Sequence, residues 1–312
     1  MPRLVVIGDS LAFQGPAGPV PLADDRLYPN VLADALWAGT GQHVETAVVA
    51  RAGWGMRDVW LALQKDVHLQ QQLLIGADAV VLGAGSLDTL PVGVPEALLA
   101  TLPYLRPMSL RRRVRRGLAR AHPTLVRLTA GRMRHTPLEV YRHCWRKTIG
   151  ALRLFAPDAA LCAVLPPLHI GTYYAGDTRH HRPTWTATRE LAAELDVPVV
   201  DLAALGRPWL HRLNPDGLHW AWEVHHEVGR ALAGVLLPQL AARAVAGGPL
   251  SRSGSGRNLD AQEVRQVRDG LLGPPVHERR HADGFRGLDV AARSSTNTHC
   301  VGSRPRRSAA SR

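Results

Sequence analysis

The sequence predicts a three-layer α/β/α sandwich built around a central parallel sheet. Three observations lead to that fold class. Short apolar runs that read as buried strands alternate with longer segments whose apolar residues recur at helical spacing. Glycine and proline clusters (Gly8, Gly83-Ala84-Gly85, Pro166-Pro167) close the strands. Ser10, Gly53 and Asp88 fall just after strands, at the carboxyl edge where such sheets hold their sites. Right-handed crossovers then place helices on both faces.

The elements follow in order. Leu4–Ile7 is a strand ending at Gly8, and Tyr28–Gly39 a helix with Val31, Leu32, Ala35 and Leu36 on one face. Val44–Ala50 is the second strand, Asp58–Leu74 the second helix, and Ala79–Leu82 the third strand. Leu138–Phe155 is helical, Ala159–Leu165 a strand, Thr184–Leu195 a helix, Val197–Leu202 the last strand and Trp220–Ala244 the last helix. Two segments break the alternation. Residues 103–137 carry Arg111-Arg112-Arg113 and Arg115-Arg116 between Pro103 and Pro137, and read as a basic insertion, a lid or subdomain, within a catalytic domain of residues 1–245. Residues 246–312 are rich in Gly, Ser and Arg and poor in large apolar residues, which predicts a disordered basic tail.

Composition narrows the class. The 312 residues are 46% hydrophobic, as in a globular protein, and no uninterrupted apolar run reaches the roughly 18 residues that a membrane span needs. Val224–Leu240 is interrupted by His225, His226, Glu227 and Arg230 and reads as an amphipathic surface helix. Only Pro2 and Arg3 precede the first apolar run, which is too short for a signal peptide, so a cytoplasmic location is expected. Cys144, Cys162 and Cys300 are few, odd in number and far apart, which argues against a disulfide framework. The net charge of +12 is unevenly spread: residues 101–150 hold thirteen Lys and Arg against the single acid Glu139, and 243–312 hold thirteen Arg against six acids. Such segments suit an anionic partner, or are simply solvated charge.

Gly8-Asp9-Ser10-Leu11 directly follows the first strand. A serine on a tight turn there exposes its hydroxyl at the sheet edge, and free N–H groups of a following helix can stabilise an oxyanion. The bland alternative is a helix N-cap. A dinucleotide fingerprint is excluded, because the glycine after Gly8 is Gly15 and Asp9 would repel a pyrophosphate. Asn214-Pro215-Asp216-Gly217-Leu218-His219 lies between the last strand and the last helix, on the same edge. Asp216 can reach one imidazole nitrogen of His219 and leave the other for Ser10, the arrangement of nucleophile, base and orienting acid. Chance produces Asp-x-x-His often; the shared sheet edge is what favours the triad.

These residues resemble the SGNH (GDSL-type) hydrolases, whose fold is flavodoxin-like. Gly8–Leu11 looks like the first conserved block, Arg51-Ala52-Gly53-Trp54 the second, Gly85-Ser86-Leu87-Asp88 the third and Asp216–His219 the last, together spanning residues 4–230. The resemblance implies Ser10 as nucleophile, His219 as base, Asp216 as orienter, and the backbone N–H groups of Ser10 and Gly53 as an oxyanion hole. It implies no cofactor and no metal. Leu87 stands where the family has an asparagine donor, whose loss commonly costs about 100- to 1000-fold in rate.

Gly8–Pro16, Ala50–Trp54, Arg111–Arg116 with Ala121-His122-Pro123, and Asn214–Trp222 are most similar to a narrower group, the actinobacterial diglucosylglycerate octanoyltransferases, which also lack that asparagine. This implies transfer of an octanoyl group from acyl-CoA or acyl carrier protein to an anionic glucosylglycerate acceptor, in methylglucose lipopolysaccharide biosynthesis. Arg111, Arg112 and Arg113 would then hold the carboxylate or the CoA phosphates. The alternatives are an SGNH esterase acting on a small acyl ester and an inactive glycan- or anion-binding protein. A nucleic-acid binder lacks any recognition motif beyond the arginines. His180-His181 and His225-His226 lack the partners of a metal set. Trp54, Trp209, Trp220 and Trp222 are candidates for sugar stacking or for packing.

Overall fold

The computed structural model describes residues 1–99, 101–176 and 178–245. The expected tail, 246–312 with Cys300, lies outside the described residues. Five parallel strands form the sheet: β1 (Arg3–Gly8), β2 (Glu45–Ala50), β3 (Ala79–Gly83), β4 (Ala160–Leu165) and β5 (Val199–Asp201). Their spatial order is β2-β1-β3-β4-β5. The order reverses between β1 and β3, and ligands bind at the carboxyl ends flanking such a switch point.

Among the described residues there are six longer helices: α1 (Tyr28–Thr40), α2 (Met56–Lys65), α3 (Met108–Leu128), α4 (Leu138–Phe155), α5 (Arg182–Glu194) and α6 (Trp222–Val245); all but α3, which packs on the turn Thr172–Tyr174, flank the sheet. Side chains alternate across each strand, so two cores form. Val5, Ile7, Val80 and Leu82 pack with α2, α4 and α5. Leu4, Val6, Val81 and Val164 pack with α1 and α6. The result is the expected three-layer α/β/α arrangement.

Two expectations need correction, and a third gains detail. The helix expected over Asp58–Leu74 is interrupted: α2 stops at Lys65 and a π-helical turn runs from His68 to Leu74. Asp66 causes the break, because its carboxylate caps the Leu69 N–H at 3.1 Å instead of continuing the helix. The helix around Val224–Leu240 is less of a surface element than its charges suggest. Val224, His225, Val228, Leu232, Leu236 and Leu240 of α6 are buried, and Gly229 lets it approach α1 so closely that a Cβ would lie 2.7 Å from Val31. By length and composition α6 is apolar enough to cross a membrane, a test that core helices also pass. Finally, the basic segment is mostly the one long helix α3. The chain returns from it along residues 133–135, which pair with Leu90–Val92.

Candidate active site

Asp9 and Ser10 follow β1 at the switch point. Gly8 and Gly83 are register partners on β1 and β3, and both lack the side chain that would strike the Tyr28 hydroxyl, at 3.3 and 2.6 Å. Asp9 is buried; its carboxylate caps the 3₁₀ turn Ser10–Ala12 by accepting from Leu11 N–H at 3.0 Å, and also accepts from the Ser86 hydroxyl. Burial pushes the Asp9 carboxyl above its ordinary range against these hydrogen bonds. The clamp leaves Ser10 half-buried at the mouth of the turn, with its backbone N–H at the first position of a helical turn.

The second half of the site is a self-supporting loop. Asn214 Oδ1 accepts from Asp216 N–H at 2.7 Å, and Gly217 N–H donates to Asn214 O at 2.8 Å. Gly217 has φ +69°, and a Cβ on it would lie 2.6 Å from Gly171 N. Asp216 Oδ1 accepts from the N–H groups of Leu218 and His219 at 2.7 and 3.2 Å. Its Oδ2 lies 2.6 Å from His219 Nδ1, and His219 Nε2 lies 2.9 Å from Ser10 Oγ. An ionised carboxylate only accepts, so Nδ1 carries the proton and Nε2 is left to accept from the serine hydroxyl. Burial would raise the Asp216 carboxyl, but the hydrogen bonds from Leu218 and His219 outweigh it and hold the group below its ordinary range. The structure thus brings Ser10, His219 and Asp216 into one hydrogen-bonded chain that can remove and return a hydroxyl proton.

Gly53 lies in the exposed turn between β2 and α2, with φ +77° and open space where a Cβ would be. Among the described residues no hydrogen bond engages its N–H. Leu87 is half-buried at the start of the 3₁₀ turn Leu87–Thr89. Arg111 is directed back onto its own segment, donating to Pro103 O at 3.1 Å and touching Met108 Sδ at 2.6 Å. Arg112 and Arg113 are exposed, and among the described residues no hydrogen bond joins any of the three to Ser10, Asp216 or His219.

The other candidates have structural partners. His225 is buried, takes Tyr28 N–H on Nδ1 at 3.3 Å and donates from Nε2 to Gln14 O at 3.0 Å; burial pushes it down to about 4. His181 donates to Pro166 O at 2.6 Å. Trp220 packs against Tyr28 and His225, and Trp222 lies under the Arg26 guanidinium at 4.1 Å. Two features were not read from the sequence: the Ser86–Asp9 hydrogen bond and an aromatic cluster of His122, His169, Tyr173 and Tyr174 beside the Asp216 loop. The strand-ending Gly83–Asp88 segment was a signal for the first; scattered residues gave none for the second.

Comparison with known proteins gives the family and the fold. Residues 6–226 match the GDSL-like Lipase/Acylhydrolase family. The chain is 36% identical over 235 residues to the diglucosylglycerate octanoyltransferase of Mycobacterium tuberculosis, covering 74% of this chain and 90% of the relative. It is 34% identical to the enzyme of the same name from Mycolicibacterium hassiacum, covering 74% of this chain and 93% of that one. A lipase/acylhydrolase from Enterococcus faecalis shares the fold at a TM-score of 0.52 and 15% identity, with 77% of this chain and 97% of that chain covered.

Proposed function

Because the chain belongs to the GDSL-like lipase/acylhydrolase family, we propose that it is an octanoyltransferase in which Ser10 carries the acyl group to a hydroxyl of a glucosylglycerate acceptor. One observation carries the reading: the unbroken Ser10–His219–Asp216 hydrogen-bond chain, in a protein that aligns with named octanoyltransferases over most of their length.

In this mechanism Ser10 Oγ attacks the carbonyl carbon of an octanoyl thioester, of CoA or of acyl carrier protein, while His219 Nε2 takes the serine proton. The oxyanion of the tetrahedral intermediate faces the N–H groups of Ser10 and Gly53. The C–S bond breaks, and the thiolate leaves with the proton from His219. The acceptor hydroxyl then attacks the Ser10 ester, giving its proton to Nε2; the sugar ester departs and Ser10 recovers its proton. Asp216 stays anionic and fixes the imidazole. The arginine-rich α3 supplies positive charge suited to the carboxylate or phosphates of the substrates.

The test is incubation of the protein with octanoyl-CoA, with and without glucosylglycerate and diglucosylglycerate. Octanoylated acceptor and an octanoyl adduct on Ser10 are expected. Hydrolysis that no acceptor diverts would make the protein an esterase instead.

A further inference from the structure

We propose that the outer face of Tyr173, with Arg115 on the adjoining helix, is the docking subsite for the acyl acceptor: a hexose ring joined to a carboxylate-bearing glycerate. This rests on the acyl-transfer reading above and says where the acceptor is held.

Tyr173 belongs to the 3₁₀ turn Thr172–Tyr174 and is 45% exposed. It is nevertheless rigidly held. Its ring lies flat on His122, with centroids 4.1 Å apart and planes 4° apart, and Tyr174 meets it edge-on at 5.0 Å. His122 is buried and fixed at both nitrogens: Nδ1 donates to Tyr173 O at 2.8 Å, and Nε2 accepts from Gly93 N–H at 3.2 Å. An aromatic ring backed on one side and open on the other offers the flat apolar face on which the C–H groups of a sugar ring stack, without ordering cost at the moment of binding.

The turn is fastened to the loop that bears the base. Ile170 N–H donates to Gly217 O at 2.9 Å, and Gly171 has no room for a Cβ, which would lie 2.8 Å from Asp216 O. A ring resting on Tyr173 is therefore held on the same rigid unit as Asp216 and His219.

The charge comes from α3. Arg115 lies seven residues before His122, two turns along the same face of the helix. Burial raises the Tyr173 phenol, and the Arg115 guanidinium opposes that rise, as a positive charge on this side of the helix would. Among the described residues no carboxylate pairs with Arg115, and a guanidinium binds a carboxylate through two parallel hydrogen bonds.

The experiment uses the full chain and two probes that differ only in charge, glucosylglycerate and neutral glucosylglycerol. Each is titrated calorimetrically without donor, and each is used as acceptor with octanoyl-CoA. Tyr173→Ala should weaken binding and raise KM for both probes by roughly five- to tenfold, and Tyr173→Phe should restore them. Arg115→Gln should do so for glucosylglycerate alone, by about tenfold or more. Unchanged binding of both probes by Tyr173→Ala, or a rise in the KM of octanoyl-CoA instead, overturns the subsite. Calorimetric binding that depends on Tyr173 in a protein that transfers no octanoyl group would support the subsite and sink the transferase reading.

Discussion

Asp88 Oδ2 accepts a 2.7 Å hydrogen bond from Met56 N–H, so the turn after β3 holds the first residue of α2 and, through it, the loop that carries Gly53. The Thr184 hydroxyl donates to Asp88 O at 3.1 Å and ties α5 to the same point. Asp88 Oδ1 is buried and has no hydrogen-bond partner among the described residues, and a Cβ on Gly55 would lie 2.7 Å from it. Burial pushes the carboxyl up to about 6, against hydrogen bonds from Thr136 and Met56 and the nearby His135; Asp58 adds to the rise.

Asp88→Asn should therefore stabilise the protein at neutral pH. The unfolded chain loses this proton near 3.8 and the folded one only near 6, so stability falls as pH rises between the two, by roughly 3 kcal/mol above pH 6. Asparagine does not ionise and still accepts from Met56 N–H. Melting temperatures at pH 7.5 should rise by roughly 5 °C or more, with the difference vanishing near pH 3.5. A variant that melts below the wild type at pH 7.5 contradicts the assignment.

His225 has the opposite slope. Burial lowers it from 6.5 to about 4, so the stability present above pH 6.5 is lost as pH falls toward 4, by roughly 3 kcal/mol. His225→Gln can keep both partners, Tyr28 N–H and Gln14 O, without titrating. Thermal denaturation from pH 7 to 4.5 should show a shallower acid decline for the variant; an identical decline would assign the acid sensitivity elsewhere.

Ser10→Ala and His219→Ala should each reduce octanoyl transfer by on the order of a million-fold, and Asp216→Ala by less. Stopped assays of product read this directly. Near-normal transfer by Ser10→Ala would remove the acyl-enzyme from the mechanism.

Gly217→Ala should disable the site with little change in the cores. The new methyl group meets Gly171 N at 2.6 Å in a left-handed backbone, so the Asp216–His219 loop must move. The rate at which a fluorophosphonate labels Ser10 should fall by about 100-fold or more, as for a misplaced reactive group. Wild-type labelling would show that the loop tolerates the shift.

The parallel sheet was legible because its strands are continuous apolar runs closed by glycine or proline, a pattern that buried strands alone require. Ser10, Asp216 and His219 were legible because local motifs position each of them, and topology alone joins them. The break at Asp66 was not, since a carboxylate in a helical run is ordinarily solvated and here it caps. The direction of the insertion's arginines was hidden as well. Charge density marks a helix as basic, but only packing through His122 and Val126 decides which arginine faces the body. Tyr173 and His122 are 51 residues apart and carry no common motif.

Ser10 and His219 are 209 positions apart, on a loop after β1 and a loop before the last of the described helices. The pair cannot form in a partly folded chain: β1 must first be enclosed by β2 and β3, and α6 must dock on α1. Contacts this distant close late in folding. The reactivity of Ser10 is thus a reporter of the whole fold. In a refolding experiment, recovery of fluorophosphonate labelling should trail the recovery of helical circular dichroism, and the lag would time the docking of the final helix.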